Sequence, residues 1–400
     1  MSGELRANFA GLAAQQAAVY YESGAAIAPW GGNVVRCAPW RAGWLVVTLM
    51  LVMGLGACQQ KAPPATTGAP APAAGAASAG SAPASSAPAQ RPAVRVGYSS
   101  VDASQTPLWV AQDAGLFAAN GLDVDLLFVE SGSKALQTLV AGEVPVGLIG
   151  AAAVVSAVAG GAELSILASM ADRYPYKVMT APSVQRPADL RGQRLGVSRF
   201  GSSSDLATRA ALKLAGLNPE TDAQIIQIGG DVQRVAALQS GAIDGAVLNP
   251  PGTTLVRKAG FNELMDLSRL ADADYQHNTA VATRSFVAGQ PDVVQRFVRA
   301  LVEAIHYGYV EKDATKRIMA HYNQLEDPDG LEEAYAQYYA PGAAMLTHAP
   351  YVKPKALATT IEEAAADRPE ARQLRFEDLV DDRFVRALDE SGFIRQLYGE

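Results

Sequence analysis

The sequence has almost no residues suited to metal or thiol chemistry. Its 400 residues include only two cysteines, Cys37 and Cys58, so everything after residue 58 has no thiol for a disulfide, zinc or an iron–sulfur cluster. The four histidines are scattered, without the spacing of metal ligands: His277, His306, His321 and His348. We therefore expect neither a metal nor a cofactor.

Sequence motifs of common enzymes are also missing. No Gly-x-Gly-x-x-Gly follows a strand pattern, and there is neither a Gly-Lys-Ser/Thr phosphate loop nor a His-Glu-x-x-His pair. The segment Gly196-Val-Ser198-Arg-Phe200 begins like a nucleophile elbow, but Phe200 replaces the closing glycine. No pair of side chains forms an acid–base couple, so we predict no catalytic residue and a protein that is not an enzyme.

The sequence also lacks a basic block. The net charge is −7, and because residues 1–92 carry +3, residues 93–400 carry −10. An acidic body of this kind argues against nucleic acid as a partner. With 49% hydrophobic and 18% charged residues, the composition is that of a globular protein, and the length suggests two folded units.

An apolar run near the N-terminus predicts export. Gly43–Ala57 is uncharged but, at fifteen residues, short for a membrane span, and Arg36 and Arg41 flank it. We assign residues 1–57 to an export signal. The run ends in Leu-Gly-Ala-Cys58, which resembles a bacterial lipobox and predicts that Cys58 is lipidated and becomes the first mature residue. The alternative is a short signal anchor in which the cysteine is coincidental.

The segments on either side of this run have unusual lengths or compositions. About 35 residues precede the basic flank, which leads to the hypothesis that translation begins at Val34 or Val35. Residues 59–92 contain 13 Ala, 7 Pro, 4 Ser and 3 Gly among 34 residues. Such a segment cannot bury enough apolar surface to offset its ordering entropy, so we predict that 58–92 is a disordered tether behind the lipid.

From residue 93 onwards, strand and helix patterns alternate. Apolar runs of strand length lie at Val94–Tyr98, Val124–Val129, Val146–Ile149, Leu164–Ala168, Leu195–Ser198, Ala223–Ile228 and Ala242–Leu248. Helical patterns lie between them at Leu108–Ala119, Ser133–Ala141, Ser204–Ala215 and Val232–Ser240. This alternation predicts an α/β fold with mostly parallel sheets flanked by helices.

The alternating region repeats itself. Gly97 and Ser99 match Gly196 and Ser198 at an offset of 99, within the same order of strands, loops and helices. The repeat predicts two similar lobes. A helical stretch from Pro291 to Glu400 follows, and Asn278–Thr283 is predicted to be a strand that returns to the first lobe.

The predicted domain boundaries follow from that return. Lobe 1 comprises residues 93–182 and 278–400 with the C-terminal helices, and lobe 2 comprises residues 183–277. The chain then crosses twice between the lobes, and two crossovers form a hinge.

The predicted ligand site lies where strands lead into helices. Free backbone N–H groups and the helix dipole favour anions there, although a serine at such a position is more often a plain helix cap. Candidate countercharges are Arg173, Arg199 and Lys134, each of which could equally be a surface residue. The candidate ligand-binding residues are Ser99, Gln105, Thr106, Ser131, Gly132, Ser133, Gly150, Arg173, Gly201, Ser202, Ser203 and Asn249.

Several motifs together resemble one known family. They are Val94-Arg-Val-Gly-Tyr-Ser99, Ala114-Gly-Leu-Phe117, Ser131-Gly-Ser133, Asp189-Leu-Arg-Gly-Gln-Arg-Leu-Gly196, Gly201-Ser-Ser-Ser-Asp205 and Leu238-Gln-Ser-Gly-Ala-Ile-Asp244. They resemble the substrate-binding proteins of ABC importers, in the branch that handles nitrate, taurine, sulfonates and thiamine-pyrimidine precursors. The resemblance implies a monomeric, two-lobed periplasmic clamp that closes on a small anionic or polar organic solute and docks on an ABC permease in the inner membrane.

The sequence departs from that family in two places. Pro145 stands where relatives usually have an aspartate, and Asn249-Pro-Pro stands where they often have an aromatic or acidic residue. Two other functions stay open: a sensor or scaffold lipoprotein with the same clamp, and an enzyme of thiamine-pyrimidine synthesis. The latter is disfavoured because the cysteine-rich iron motif of those enzymes is missing.

Overall fold

The computed structural model describes residues 91–270, 274–324, 327–341 and 345–399. The predicted export signal, the lipidation site at Cys58 and the tether lie outside these residues, apart from the tether's last two. Ten strands are described: β1 Ala93–Tyr98, β2 Asp123–Phe128, β3 Val146–Gly150, β4 Leu164–Arg173, β5 Lys177–Thr180, β6 Arg194–Val197, β7 Gln224–Gln227, β8 Gly245–Leu248, β9 Asn262–Asp266 and β10 Asp274–Thr283.

The strands form two five-stranded sheets with the same topology. The first has the order β2-β1-β3-β10-β4 and the second the order β7-β6-β8-β5-β9. In the first sheet β1 pairs parallel with β2 and β3, and β10 is antiparallel to β3 and β4. In the second, β6 pairs parallel with β7 and β8, and β5 is antiparallel to its neighbours. The predicted two-lobed α/β clamp is confirmed. Both sheets are mixed, because one strand in each, β10 or β5, runs opposite to the other four.

Fifteen helices of four or more residues are described outside the short 3₁₀ turns. They are α1 Thr106–Asp113, α2 Leu116–Ala119, α3 Gly132–Val140, α4 Ala151–Ala159, α5 Ser203–Leu214, α6 Asp231–Gln239, α7 Gly252–Lys258, α8 Arg284–Gly289, α9 Pro291–Val310, α10 Lys312–Asn323, α11 Pro328–Tyr339, α12 Pro354–Asp367, α13 Phe376–Leu379, α14 Arg383–Glu390 and α15 Phe393–Tyr398. Among the described residues, none of these helices is both long and apolar enough to cross a membrane.

The long helix α9 anchors the first lobe. Pro291 occupies its first turn, where the missing N–H costs nothing, and Phe297, Leu301 and Ile305 form a buried stripe at helical spacing. The ring of Phe297 stacks on that of Phe117 with centroids 5.7 Å apart. Burying each such side chain contributes roughly 1.5–3 kcal/mol, so this stripe holds the C-terminal helices on the first sheet.

Two crossovers connect the sheets, as the returning strand predicted. The first lies between β4 and β5 and the second between β9 and β10. Tyr174 in the first crossover stacks on Tyr275 at the start of β10, with ring centroids 4.0 Å apart and planes within 7°. The two connections therefore pack against each other at the waist of the molecule.

The lobes divide slightly earlier in the chain than the sequence indicates. Strand β5 belongs to the second sheet, although it precedes the predicted boundary after residue 182. Strand β10 starts at Asp274, before the predicted return at residue 278. The predicted helix Leu108–Ala119 is two helices, because Gly115 adopts a left-handed φ of 71° between α1 and α2.

Candidate functional site

A small polar cavity lies between the two lobes, where the ends of strands from both sheets face each other. Its volume is about 50 Å³. The lining residues are Ser99, Ser100, Asp102, Ser104, Gln105, Ser131, Gly132, Gly150, Ala153, Tyr176, Ser198, Ser202, Ser203, Ser204, Gly230, Asp231, Arg234, His277 and Asn278. Apart from glycines and Ala153, every one of them carries a polar group.

The turn after β1 forms one wall of the cavity. Asp102 is 4% exposed, and its Oδ1 accepts the Ser104 N–H at 2.8 Å, which caps the short turn before α1. Gln105 is fully buried and donates from Nε2 to Ser100 Oγ at 3.0 Å. Its Oε1 has no hydrogen-bond partner within the described part of the chain. This wall therefore presents two oxygen acceptors, a carboxylate and an amide.

The loop after β2 holds a residue in a strained conformation. Ser131 has φ 81° and ψ 146°, a region that residues with a side chain rarely adopt. The Ser131 N–H donates to the Ser99 carbonyl at 3.1 Å, and its Oγ accepts the Lys134 N–H and caps α3. A strained backbone that lines a cavity and is held by its neighbours is typical of a functional site.

A serine cluster forms the facing wall in the second lobe. The hydroxyls of Ser198, Ser202 and Ser204 lie 2.9–3.0 Å from one another. Ser204 Oγ also accepts the Ser198 N–H at 2.9 Å, and Ser202 caps α5. These hydroxyls therefore fix the loop between β6 and α5 while they line the cavity.

The first turn of α6, which follows β7, supplies the charged groups of this wall. Arg234 is 2% exposed; its guanidinium donates to the Gly229 carbonyl at 3.0 Å and pairs with Asp231. The second carboxylate oxygen of Asp231 accepts the Asn249 N–H at 3.1 Å. The Arg234 Nε has no partner among the described residues.

His277 lies in the cavity wall beside the hinge. It is 5% exposed, and its ring meets that of Tyr176 edge-on at 5.1 Å. Burial lowers the pKa of His277 to about 4, although the Asp102 charge opposes this shift. The imidazole is therefore neutral at neutral pH and adds no positive charge to the cavity.

The two lobes touch around the cavity. Ser133 Oγ donates to the Phe200 carbonyl at 3.3 Å, and the Gly230 N–H donates to Glu130 Oε1 at 3.3 Å. The lobes also approach closely at Gly150, since a methyl group placed there would lie 2.5 Å from Ser203 Oγ. The missing side chain at Gly150 lets the lobes come this close.

Some of the candidate residues from the sequence line this cavity, and others lie around it. Those in the lining are Ser99, Gln105, Ser131, Gly132, Gly150, Ser202 and Ser203. That they bind a ligand stays a prediction.

The remaining candidates have other contacts. The Thr106 hydroxyl donates to the Ala103 carbonyl at 2.8 Å, and the Gly201 N–H donates to Asp205 at 2.9 Å. Ser133 bridges the lobes, and Asn249 is buried behind Asp231. Arg173 is exposed at the end of β4, outside the lining.

Sequence reasoning missed the charged residues of the wall. Asp102, Asp231, Arg234 and His277 were not candidates. The loop that leads into α6 follows the predicted strand β7, so the rule used for the other loops would have included Asp231. Within the described ranges, no group of three or more histidine, cysteine or acidic side chains could hold a metal ion.

Curated relatives match more than half of the chain. A Brucella abortus protein is 28% identical over 243 residues, which cover 60% of this chain and 75% of that protein. The YtlA protein of Bacillus subtilis is 23% identical over 238 residues, 58% of this chain and 71% of that one. Both carry the name "binding protein", in agreement with the prediction of a non-enzyme.

Solved structures share the fold. A Bordetella bronchiseptica protein is 24% identical and covers 76% of this chain and 98% of its own, with a TM-score of 0.67. The aliphatic sulphonate-binding protein SsuA of Escherichia coli is 20% identical, with coverages of 72% and 98% and a TM-score of 0.56. The nitrate-binding protein NrtA of Synechocystis is 14% identical, with coverages of 75% and 88% and a TM-score of 0.60. The last two are periplasmic by name.

The family comparison covers more than half of the chain. The family model described as "NMT1/THI5 like" matches residues 102–313, from the turn before α1 to the start of α10. This range includes both crossovers and nearly all of the cavity wall. The chain belongs to the NMT1/THI5-like family and has the fold of periplasmic solute-binding proteins.

Proposed function

We propose that this protein is the solute-binding component of an ABC importer, exported and held at a membrane by a lipid on Cys58. Its two lobes capture a small polar organic solute or anion and present it to a permease. The observation that carries the proposal is the polar cavity at the boundary of two lobes that are joined by two crossovers. Two fold neighbours are named as sulphonate-binding and nitrate-binding proteins, which supports solute binding as the activity.

The cavity sets the size of the solute in this arrangement of the lobes. A water molecule needs about 10–15 Å³ of such space, so about 50 Å³ holds roughly four water-sized groups. Four to six convergent hydrogen bonds to a charged group, at about 1.5–3 kcal/mol each, contribute roughly 6–18 kcal/mol, a range that includes the roughly 8 kcal/mol of a micromolar complex. A compact solute can therefore bind usefully without a metal.

Native mass spectrometry of the mature chain, purified from the membrane fraction that carries it, tests the proposal. We expect a one-to-one adduct with a small molecule that is released by mild activation and that exchanges with added solute. A chain that is consistently empty, and that no compound in a broad metabolite panel stabilises against heat, would contradict the binding function.

The lipid anchor has a separate test. Labelled fatty acid should be incorporated into the wild-type chain and not into Cys58→Ala, and that variant should move from the membrane fraction to the periplasmic fraction. Equal labelling of both chains would contradict anchoring at Cys58 and leave the binding function intact.

A further inference from the structure

Negative charges outnumber positive ones in the cavity wall, and this excess indicates which solutes can bind. Three formal charges line the cavity: Asp102, Asp231 and Arg234. His277 and Tyr176 also line the cavity; burial lowers the pKa of the imidazole and raises that of the phenol, so both are neutral at neutral pH. The wall therefore carries a net charge of −1 before a solute binds.

Arg234, the positive charge of the wall, already has partners within its own lobe. Arg234 pairs with Asp231 and donates to the Gly229 carbonyl, and Asp231 also accepts the Asn249 N–H. This pair is neutral as a unit, and Nε is the guanidinium nitrogen that has no partner among the described residues. An arginine whose charge is already paired with a carboxylate attracts an anion less than an unpaired arginine does.

The remaining charge lies in the other lobe. Asp102 is buried and accepts one backbone N–H at Oδ1, and among the described residues it forms no ion pair with lysine or arginine. Beside it, the buried Gln105 Oε1 has no partner. A buried carboxylate with a single backbone donor and no ion-pair partner, next to a buried amide oxygen with no donor at all, is unfavourable unless a ligand supplies further N–H groups.

We propose, on the basis of the solute-binding function above, that the solute carries a protonated nitrogen group, an amidinium, guanidinium or primary ammonium, which lies against Asp102 and Gln105. The cation neutralises Asp102 and donates to both acceptors, while an acceptor atom elsewhere on the solute takes the Arg234 Nε–H. Sulfonate and nitrate lack donors for Asp102, and their negative charge would be repelled by it.

Three probes of the same size test this inference. Acetamidinium, acetamide and acetate are planar, have four heavy atoms each and carry charges of +1, 0 and −1. We would measure the thermal midpoint of the full chain at pH 7 and constant ionic strength, with each probe and with methanesulfonate and nitrate. We expect acetamidinium to raise the midpoint with a saturating concentration dependence, and the other four to raise it less or not at all.

Two variants separate charge from capping. Asp102→Asn keeps the capping acceptor but removes the charge, so it should fold and weaken acetamidinium at least tenfold. Asp266→Asn is the matched control, because Asp266 caps a similar short turn and accepts the Ser268 N–H at 3.0 Å, outside the cavity. It should bind acetamidinium like the wild type.

Several outcomes would overturn the inference: stronger stabilisation by acetate, methanesulfonate or nitrate than by acetamidinium, equal acetamidinium affinity in Asp102→Asn and wild type, or no effect of any probe. Native mass spectrometry separates this failure from failure of the proposed function. A co-purified solute without a protonated nitrogen refutes only the charge class, whereas an empty chain that no probe stabilises refutes both.

Discussion

The contact between Gly150 and Ser203 predicts that one methyl group will hold the lobes apart. Gly150 has φ −60° and ψ 129°, an extended conformation that alanine adopts without strain. The Gly150→Ala methyl would nevertheless lie 2.5 Å from Ser203 Oγ in the other lobe and 3.6 Å from the His277 carbonyl oxygen. The first lobe can therefore fold normally, and the conflict arises only when the lobes meet.

The size of the effect follows from the overlap. Ser203 is the first residue of α5, and its Cβ would lie 3.6 Å from the added methyl, so the overlap is with its hydroxyl oxygen alone. Its oxygen must retreat by about 1 Å to reach ordinary contact, and overpacking of this kind costs roughly 1–3 kcal/mol. If the cost falls on the closed arrangement alone, closure and solute affinity should weaken by about 5- to 150-fold. Global stability should stay equal or rise by about 0.4–1 kcal/mol, because alanine restricts the unfolded chain.

Small-angle scattering of the unliganded full chain measures this opening. We expect a larger radius of gyration for Gly150→Ala than for the wild type, and recovery in Gly150→Ala/Ser203→Ala, where the hydroxyl that the methyl strikes is gone. Ser203→Ala alone is the matched control and should scatter like the wild type. An unchanged radius for Gly150→Ala, or a double variant as open as the single one, would refute the steric reasoning.

Three further predictions concern ionisable groups. Burial raises the pKa of Glu333, but hydrogen bonds from Arg257, Lys177 and Thr254 outweigh this effect and lower the pKa to about 2. The stability that this cluster contributes is present above pH 4.5 and lost as the pH falls towards 2. Glu333→Gln should lower the free energy of unfolding in urea by about 1–2 kcal/mol at pH 7. Burial lowers the pKa of His277 to about 4. The unfolded chain therefore binds more protons than the folded chain between pH 6.5 and 4, and the free energy of unfolding should decrease by up to about 3 kcal/mol as the pH is lowered through that range. His277→Gln should flatten this pH dependence. Burial raises the pKa of Glu363 to about 7; the folded chain binds the extra proton between pH 4.5 and 7, so stability should fall as pH rises, and Glu363→Gln should be the more stable chain at pH 8. An unaltered pH slope in either of the last two variants would contradict the corresponding assignment.

The order of the elements could be predicted from the sequence, but two strands could not. Seven strands have β-branched or apolar runs, and the offset of 99 residues correctly indicated a repeated lobe. Strand β9 (Asn262–Asp266) is an edge strand of mostly half-buried residues without a β-branched side chain, and β5 (Lys177–Thr180) has only four residues. These two strands form by pairing with the rest of their sheet, and a local sequence pattern does not reveal that pairing.

The residues of the candidate site, too, could be predicted only in part from the sequence. The rule that loops follow the carboxyl ends of strands led to Ser131 and Ser202, which lie in the cavity wall. Arg234, in contrast, sits in an amphipathic helix pattern where an arginine usually faces solvent, and only packing against the loop after β7 buries it. The countercharge predicted at Arg173 lies exposed outside the lining. Burial that depends on tertiary packing cannot be seen in one segment of sequence.

This limit also bears on how a ligand class can be inferred within this fold. The topology brings six or more loops to one cleft, but it leaves open which side chains those loops carry, so neighbours at 20% identity or less inform the fold and not the charge of the solute. In this chain the first lobe contributes the Asp102 carboxylate, which has no ion-pair partner among the described residues, and the Gln105 Oε1, which has no hydrogen-bond donor there. The second lobe contributes hydroxyls and an arginine already paired with Asp231. A solute bound to the first lobe alone would already have its cation satisfied, and closure would add the hydroxyls and the Arg234 Nε–H. Selection by charge would therefore precede closure, and selection by shape would accompany it.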